Sequence, residues 1–238
     1  VYYNPAEVAS SENLRSSIFS ALKLYADNVE MNKFGGRFKY SKINQLIDRV
    51  DDGITSNITK IIIRRDLKAL LNQFAQYELC FGNRFNINPA GFNIKSTGFM
   101  LTGSSTMAYL TDIPNKDASG NLDGSMKGKI SVVSKNNKNQ QVVLIKDAGA
   151  VDYKKGEIIL NTINFASTQA ENNIIEVQAY PESNDVIGLK DLFVSFNTSN
   201  TTINMVKDVI ASGEDVSGVV FTRDYFTSSY SNGVLERK

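Results

Sequence analysis

The chain reads as an α+β protein, with an N-terminal two-helix plus strand unit followed by a mostly antiparallel β domain. Three observations predict this. Leu14, Ile18, Leu22, Tyr25 and Val29 recur at helical spacing, as do Tyr40, Ile43, Ile47 and Val50. From Ile58 to Arg65, apolar residues fall on both faces of one extended run. From Gly128 to Phe196, short β-branched and aromatic runs alternate with turn residues. The expected divisions are residues 1–75 for the helix-helix-strand unit, 76–202 for a mainly β domain, and 203–238 for a short helix and a C-terminal strand or arm.

The first helix has Ser11 as its expected N-cap, since a hydroxyl there accepts an orphan amide of the first turn. Its apolar stripe needs a partner, either the domain core or a face that also joins two copies. Gly35 and Gly36 end the helical stretch and re-aim the chain. The second helix stops at Asp51-Asp52-Gly53. In the strand that follows, Ile58 and Ile62 oppose Ile61 and Ile63, so cover on both sides is expected, from the domain itself or from a partner. Arg64 and Arg65, with Lys60 and Lys68 nearby, suit water, an acidic protein surface or phosphate, and water is the default. Aromatic residues do not interleave with these bases as a single-strand nucleic acid platform requires.

Tyr77, Leu79 and Phe81 alternate with Gln76, Glu78 and Cys80, which predicts a half-buried strand with Cys80 on the opposite face. Asn86, Asn88, Pro89 and Gly91 mark a turn before an extended piece near Asn93–Leu101. Residues 102–128 read as a long polar loop. Two lookalikes fall in this part of the chain. GFMLTGSS at 98–105 has the outer glycines of a phosphate loop but serine where its lysine belongs. Asn115, Asp117, Ser119 and Gly120 resemble the start of a calcium loop, yet Met126 stands where the bidentate glutamate should be, so an ordinary loop is preferred.

Lys129–Ser134 and Gln141–Lys146 predict one hairpin, and Val151–Tyr153 with Glu157–Leu160 a second around Lys154-Lys155-Gly156. Further strands are expected at Ile174–Tyr180 and Leu192–Phe196, and the whole suggests a sandwich or a compact antiparallel sheet. Ile203, Val206, Val209 and Ile210 predict a short helix closed by Ser212-Gly213. The aromatic tail after it is expected either to be buried in the domain or to dock on a neighbour.

Composition narrows the chemistry. With 26 basic and 25 acidic residues among 238, the net charge of +1 gives no global field to draw in nucleic acid or an anionic membrane. The chain has no histidine, which removes the commonest general base and metal ligand, and its carboxylates fall in no recognisable catalytic pattern. The single cysteine, Cys80, lacks an activating histidine and is read as structural. The sequons at Asn57, Asn197 and Asn200 are read as chance, and the lone cysteine suggests a reducing compartment or a protein that does not rely on bridges. No enzyme activity and no cofactor or metal are expected.

GGRFKYSK, the LID that follows, and the polar ITSNIT leading into a basic-ended strand lie within residues 34–68. Together they resemble the baseplate wedge protein of T-even-like contractile-tailed bacteriophages, the gene product six type, related to baseplate-J-like proteins. A looser echo is GAVDYKKGEIIL at Gly149–Leu160. The resemblance implies a C-terminal fragment whose missing portion precedes Val1, which fits the lack of an initiator methionine. It also implies a late virion structural protein of the tail baseplate, assembled in the host cytoplasm. Such a subunit self-associates as a homodimer or ring and binds other baseplate wedge proteins. It links wedges around the hub and rearranges on sheath contraction, with no nucleic acid, membrane or small-molecule ligand. The doubly apolar strand and the aromatic terminus give the candidate interface residues Ile61, Ile63, Arg64, Arg65, Phe221, Tyr225 and Phe226. The alternative is a carbohydrate- or receptor-binding β-sandwich module, suggested by the many asparagines and aromatics.

Overall fold

The structure, a computed structural model, describes residues 1–27, 32–136, 138, 140–190, 194–209, 230–231 and 234–235. In chain order the first elements are β1 (Tyr2–Tyr3), α1 (Ser11–Ala26), β2 (Arg37–Phe38), α2 (Tyr40–Asp48) and β3 (Ile54–Ser56). Then come β4 (Ile63–Lys68), β5 (Phe74–Cys80), β6 (Lys95–Ser96), β7 (Phe99–Leu101), β8 (Ala108–Pro114) and β9 (Lys127–Lys135). β10 (Gln141–Asp152), β11 (Glu157–Thr168), β12 (Ile174–Ala179), β13 (Val186–Ile187) and β14 (Val206–Lys207) follow. Tyr230–Ser231 and Val234–Leu235 pair as a small antiparallel ladder. The chain divides into two compact units, one of Val1–Lys23, Asn44–Ile58 and Thr198–Lys238, the other of Leu24–Ile43 and Thr59–Asn197.

In the first unit, β1 is the middle strand, antiparallel to β3 and parallel to β14. Ser10, not Ser11, caps α1, because its Oγ accepts the Asn13 amide at 3.3 Å. Leu14, Ile18 and Leu22 are buried, as the helical stripe predicts, while Val29 lies outside the described residues. Ile43 and Ile47 of α2 are likewise buried, and the Asp51 carboxylate accepts the Gly53 amide at 2.8 Å in the turn after it. The helix predicted from Ile203 is not formed at Val206–Lys207. There the chain is extended, the Asp208 amide donating to the Tyr3 carbonyl at 2.8 Å, so pairing with β1 overrides the local period. Ile210, Ser212 and Gly213 lie outside the described residues.

The second unit corrects the expected fold class. Among the described residues the chain is mostly β, 40% strand against 16% helix, and α1 and α2 do not form a separate α+β unit with the following strand. That strand begins at Ile63 rather than Ile58 and pairs along its length with β12, as the outer member of a nine-stranded sheet. Ile63 and Leu67 face inward, but Ile58 is 69% and Ile62 50% exposed, so the isoleucine run is not covered on both sides.

Within the sheet the pairings close on themselves, from β7 to β8, β9, β10, β11 and back to β7, making a barrel where a sandwich or a compact antiparallel sheet was expected. β8 lies inside the stretch predicted to be loop. It pairs with β9 without interruption from Ala108↔Ser134 to Pro114↔Gly128, and Ala108, Leu110 and Asp112 are buried. An aspartate and a proline hid the strand, because the aspartate is one of the inward residues and the proline stands at the strand's end. The remaining loop holds itself together: the Asp117 carboxylate accepts the amides of Ser119 and Asn121, as in an Asx turn.

Leu110, Ile130, Val132, Ile158 and Leu160 fill the barrel interior, and Phe99 meets Phe165 edge to face at 5.0 Å. Both predicted hairpins form, β9 with β10 and β10 with β11. Glycine is required at Gly149, where a Cβ would overlap the Ile159 carbonyl oxygen of the neighbouring strand. It is required again at Gly156, whose φ of +70° closes the turn after Asp152. The predicted strand at Leu192–Phe196 is not formed over residues 194–197, and residues 191–193 lie outside the described set.

Candidate functional site

The candidate interface starts where the isoleucine run leaves β3. The Asn57 side-chain amide donates to the Asp48 carboxylate and to the Asn44 carbonyl, while the Thr59 carbonyl accepts the Tyr40 hydroxyl at 3.0 Å. Polar anchors of this kind fix the backbone without burying the apolar side chains between them. Ile61 is half-buried, Ile62 is exposed, and Ile63 turns into the sheet core.

Along β4 the side chains alternate. Arg64 points away from the core and is enclosed by carboxylates: its Nε and Nη2 reach the two oxygens of Asp66 at 2.9 and 3.2 Å, and Nη1 reaches Glu176 at 3.0 Å. Two acids therefore already neutralise it. Arg65 shares the face of Ile63 and Leu67, is half-buried, and makes no ion pair among the described residues. The two arginines, adjacent in sequence, are thus not a joint basic patch. Phe221, Tyr225 and Phe226 lie outside the described residues.

The chemistry of the barrel interior is that of a sealed core. Asp112 is buried and accepts the Ile94 amide and the Tyr153 hydroxyl, each at 2.7 Å. Burial pushes its carboxyl above the ordinary range, against the pull of those hydrogen bonds. Burial, together with the charge and hydrogen bond of Asp112, also pushes the Tyr153 phenol up. Tyr153 belongs to the DYKKG turn, and its ring leaves that turn to fill the barrel. Cys80 is half-buried at the end of β5. Among the described residues no three of His, Cys, Asp and Glu gather as a metal site, and no helix is long and apolar enough to cross a membrane.

Sequence reasoning missed one surface. Val142, Val143 and Leu144, read as an ordinary hairpin arm, stand consecutively exposed. Only strand pairing tells which edge of a hairpin is left open.

No curated protein matches the chain. Residues 1–66, from β1 through α1 and α2 to within β4, match the family model described as baseplate structural protein gp6, C-terminal domain III, and this match supports a structural role in a phage tail baseplate.

Proposed function

We propose that the chain is a structural subunit of a phage tail baseplate wedge. In this reading it self-associates, joins neighbouring wedges into a ring around the hub, and rearranges on sheath contraction. The observation that carries it is the family match over residues 1–66. A subunit of this kind works through interfaces whose relative stability differs between two arrangements, without a reaction at any residue. The apolar surface at Ile58 and Ile62 supports an interface at this segment. Ile61, Ile63, Arg64 and Arg65 set its border, and Phe221, Tyr225 and Phe226 are proposed as further contacts. Other baseplate wedge proteins are the proposed hetero-partners, and assembly precedes incorporation into the virion in the host cytoplasm.

The test is the absolute mass of the chain by light scattering over a concentration series. A dimer or larger species is expected to grow with concentration. Placing a charge on the exposed apolar surface, Ile62→Asp, should raise the dissociation constant about tenfold, the cost of about 1.4 kcal/mol. A monomer at every concentration would remove self-association from the reading.

A further inference from the structure

The arm of β9 and β10 carries a surface that the assembly reading does not use. From Gln141 to Ile145 β10 is paired on one side with β9, and its pairing with β11 begins only at Gly149. Among the described residues, therefore, no strand lies along the second edge before Gly149. On that open stretch Val142, Val143 and Leu144 are 41%, 42% and 40% exposed. An open apolar edge presents unpaired backbone donors and acceptors beside side chains that gain by leaving water. The register irregularity between Val143 and Ile145 keeps the regular ladder short, so side-chain contact must supply much of the selectivity.

Charge indicates what would cover it. Between residues 127 and 147 stand Lys127, Lys129, Lys135, Lys138 and Lys146, with Asp147 as the single acid, so this arm has a charge of +4 within a chain of +1. Asp147 is taken by Lys129 at 2.6 Å. Lys135, Lys138 and Lys146 are exposed and make no ion pair among the described residues. Lysines that guard an edge interrupt its apolar residues, whereas these flank the trio and leave it continuous. A second copy on the same edge would bring two arms of charge +4 together, which disfavours self-pairing.

We propose that the open edge of β10 over Gln141–Lys146 docks an extended segment of a partner protein as an added strand. That segment carries aliphatic or β-branched residues at alternate positions and carboxylates on both flanks. The proposal stands on the barrel, outside the residues of the family match, and does not depend on the wedge reading.

Its test uses the whole chain and two fluorescent peptides with the same core of alternating valine and threonine, one flanked by glutamates and one by lysines. The glutamate peptide is expected to bind at least about tenfold tighter by fluorescence anisotropy and to weaken as salt rises from about 50 to about 300 mM. Its binding should slow amide exchange at 141–146. Leu144→Lys should weaken it about tenfold with the melting temperature unchanged, while Leu144→Val keeps it within about threefold. Four outcomes overturn the proposal: equal affinity for both peptides, no binding of the glutamate peptide at about 1 mM, exchange at 141–146 already slow in the free chain, or a dimer that Leu144→Lys dissolves.

Discussion

Asp112 is the one carboxyl buried among the described residues, beside neutral polar side chains such as Thr111 and Ser131, and its cost varies with pH. Because burial raises its folded-state pKa above the unfolded value, its contribution to stability is full below the ordinary carboxylate pKa. That contribution is lost as pH rises through the elevated folded value, since the ion must then stay buried. Asp112→Asn should abolish this slope in urea melts run from about pH 4 to 7. The amide oxygen can still accept from Ile94, and its NH2 can donate to the Tyr153 oxygen, so the expected penalty at the acid end is about 1 kcal/mol. An unchanged slope would place the titration elsewhere. Gly149 is constrained by space instead of charge. Gly149→Ala sets a methyl against the Ile159 carbonyl and should cost about 1–3 kcal/mol through a lower urea midpoint with an unchanged m-value. A midpoint equal to that of the parent would mean the strands part freely there.

At the level of elements, the sequence is informative where a periodic pattern and the tertiary contacts agree. Leu14, Ile18 and Leu22, Ile43 and Ile47, and the alternation ending at Leu79 and Phe81 all bury the faces their spacing predicts. The pattern misleads where a partner strand decides. Val206 keeps a helical interval to its neighbours, yet β1 draws it into a ladder, and β8 is secured by complete pairing with β9 despite its acid and its proline. The isoleucine run failed differently. Five branched residues in six positions from Ile58 to Ile63 look like a buried strand, but polar contacts at Asn57 and Thr59 hold the chain out of the ladder until Ile63. The same limit governs the candidate interface. Sequence named Ile61 and Ile63, but the exposed isoleucines are Ile58 and Ile62, and it could not show that Arg64 is closed between Asp66 and Glu176 while Arg65 turns to the other face.

For the whole molecule, the closed circuit of strands sets the order of opening. Strands β7, β8, β9, β10 and β11 are joined by pairings that return to their start, so amides within the closed circuit cannot be freed by peeling an edge away. Leu110, Val132, Ile158 and Leu160 should therefore exchange most slowly, with free energies near that of global unfolding, and β4 and the 141–146 arm should exchange faster. Hydrogen exchange read by residue checks this, and faster exchange in the barrel than in β4 would contradict it.

The two strands that frame this barrel in sequence also meet in space. Lys68 is the register partner of Ile174, and the Ala69 amide donates to the Asn173 carbonyl at 2.8 Å. The segment between those residues leaves the β4–β12 ladder and returns to it through adjacent points, and its own β6 lies against the other edge of β12. Because its ends touch, changes in the length of this segment alter closure entropy only logarithmically, while β6 must be kept because it covers the other edge of β12. The family match ends at residue 66, two residues before that junction, so the boundary of the matched segment falls where the chain leaves the β4–β12 ladder for the barrel.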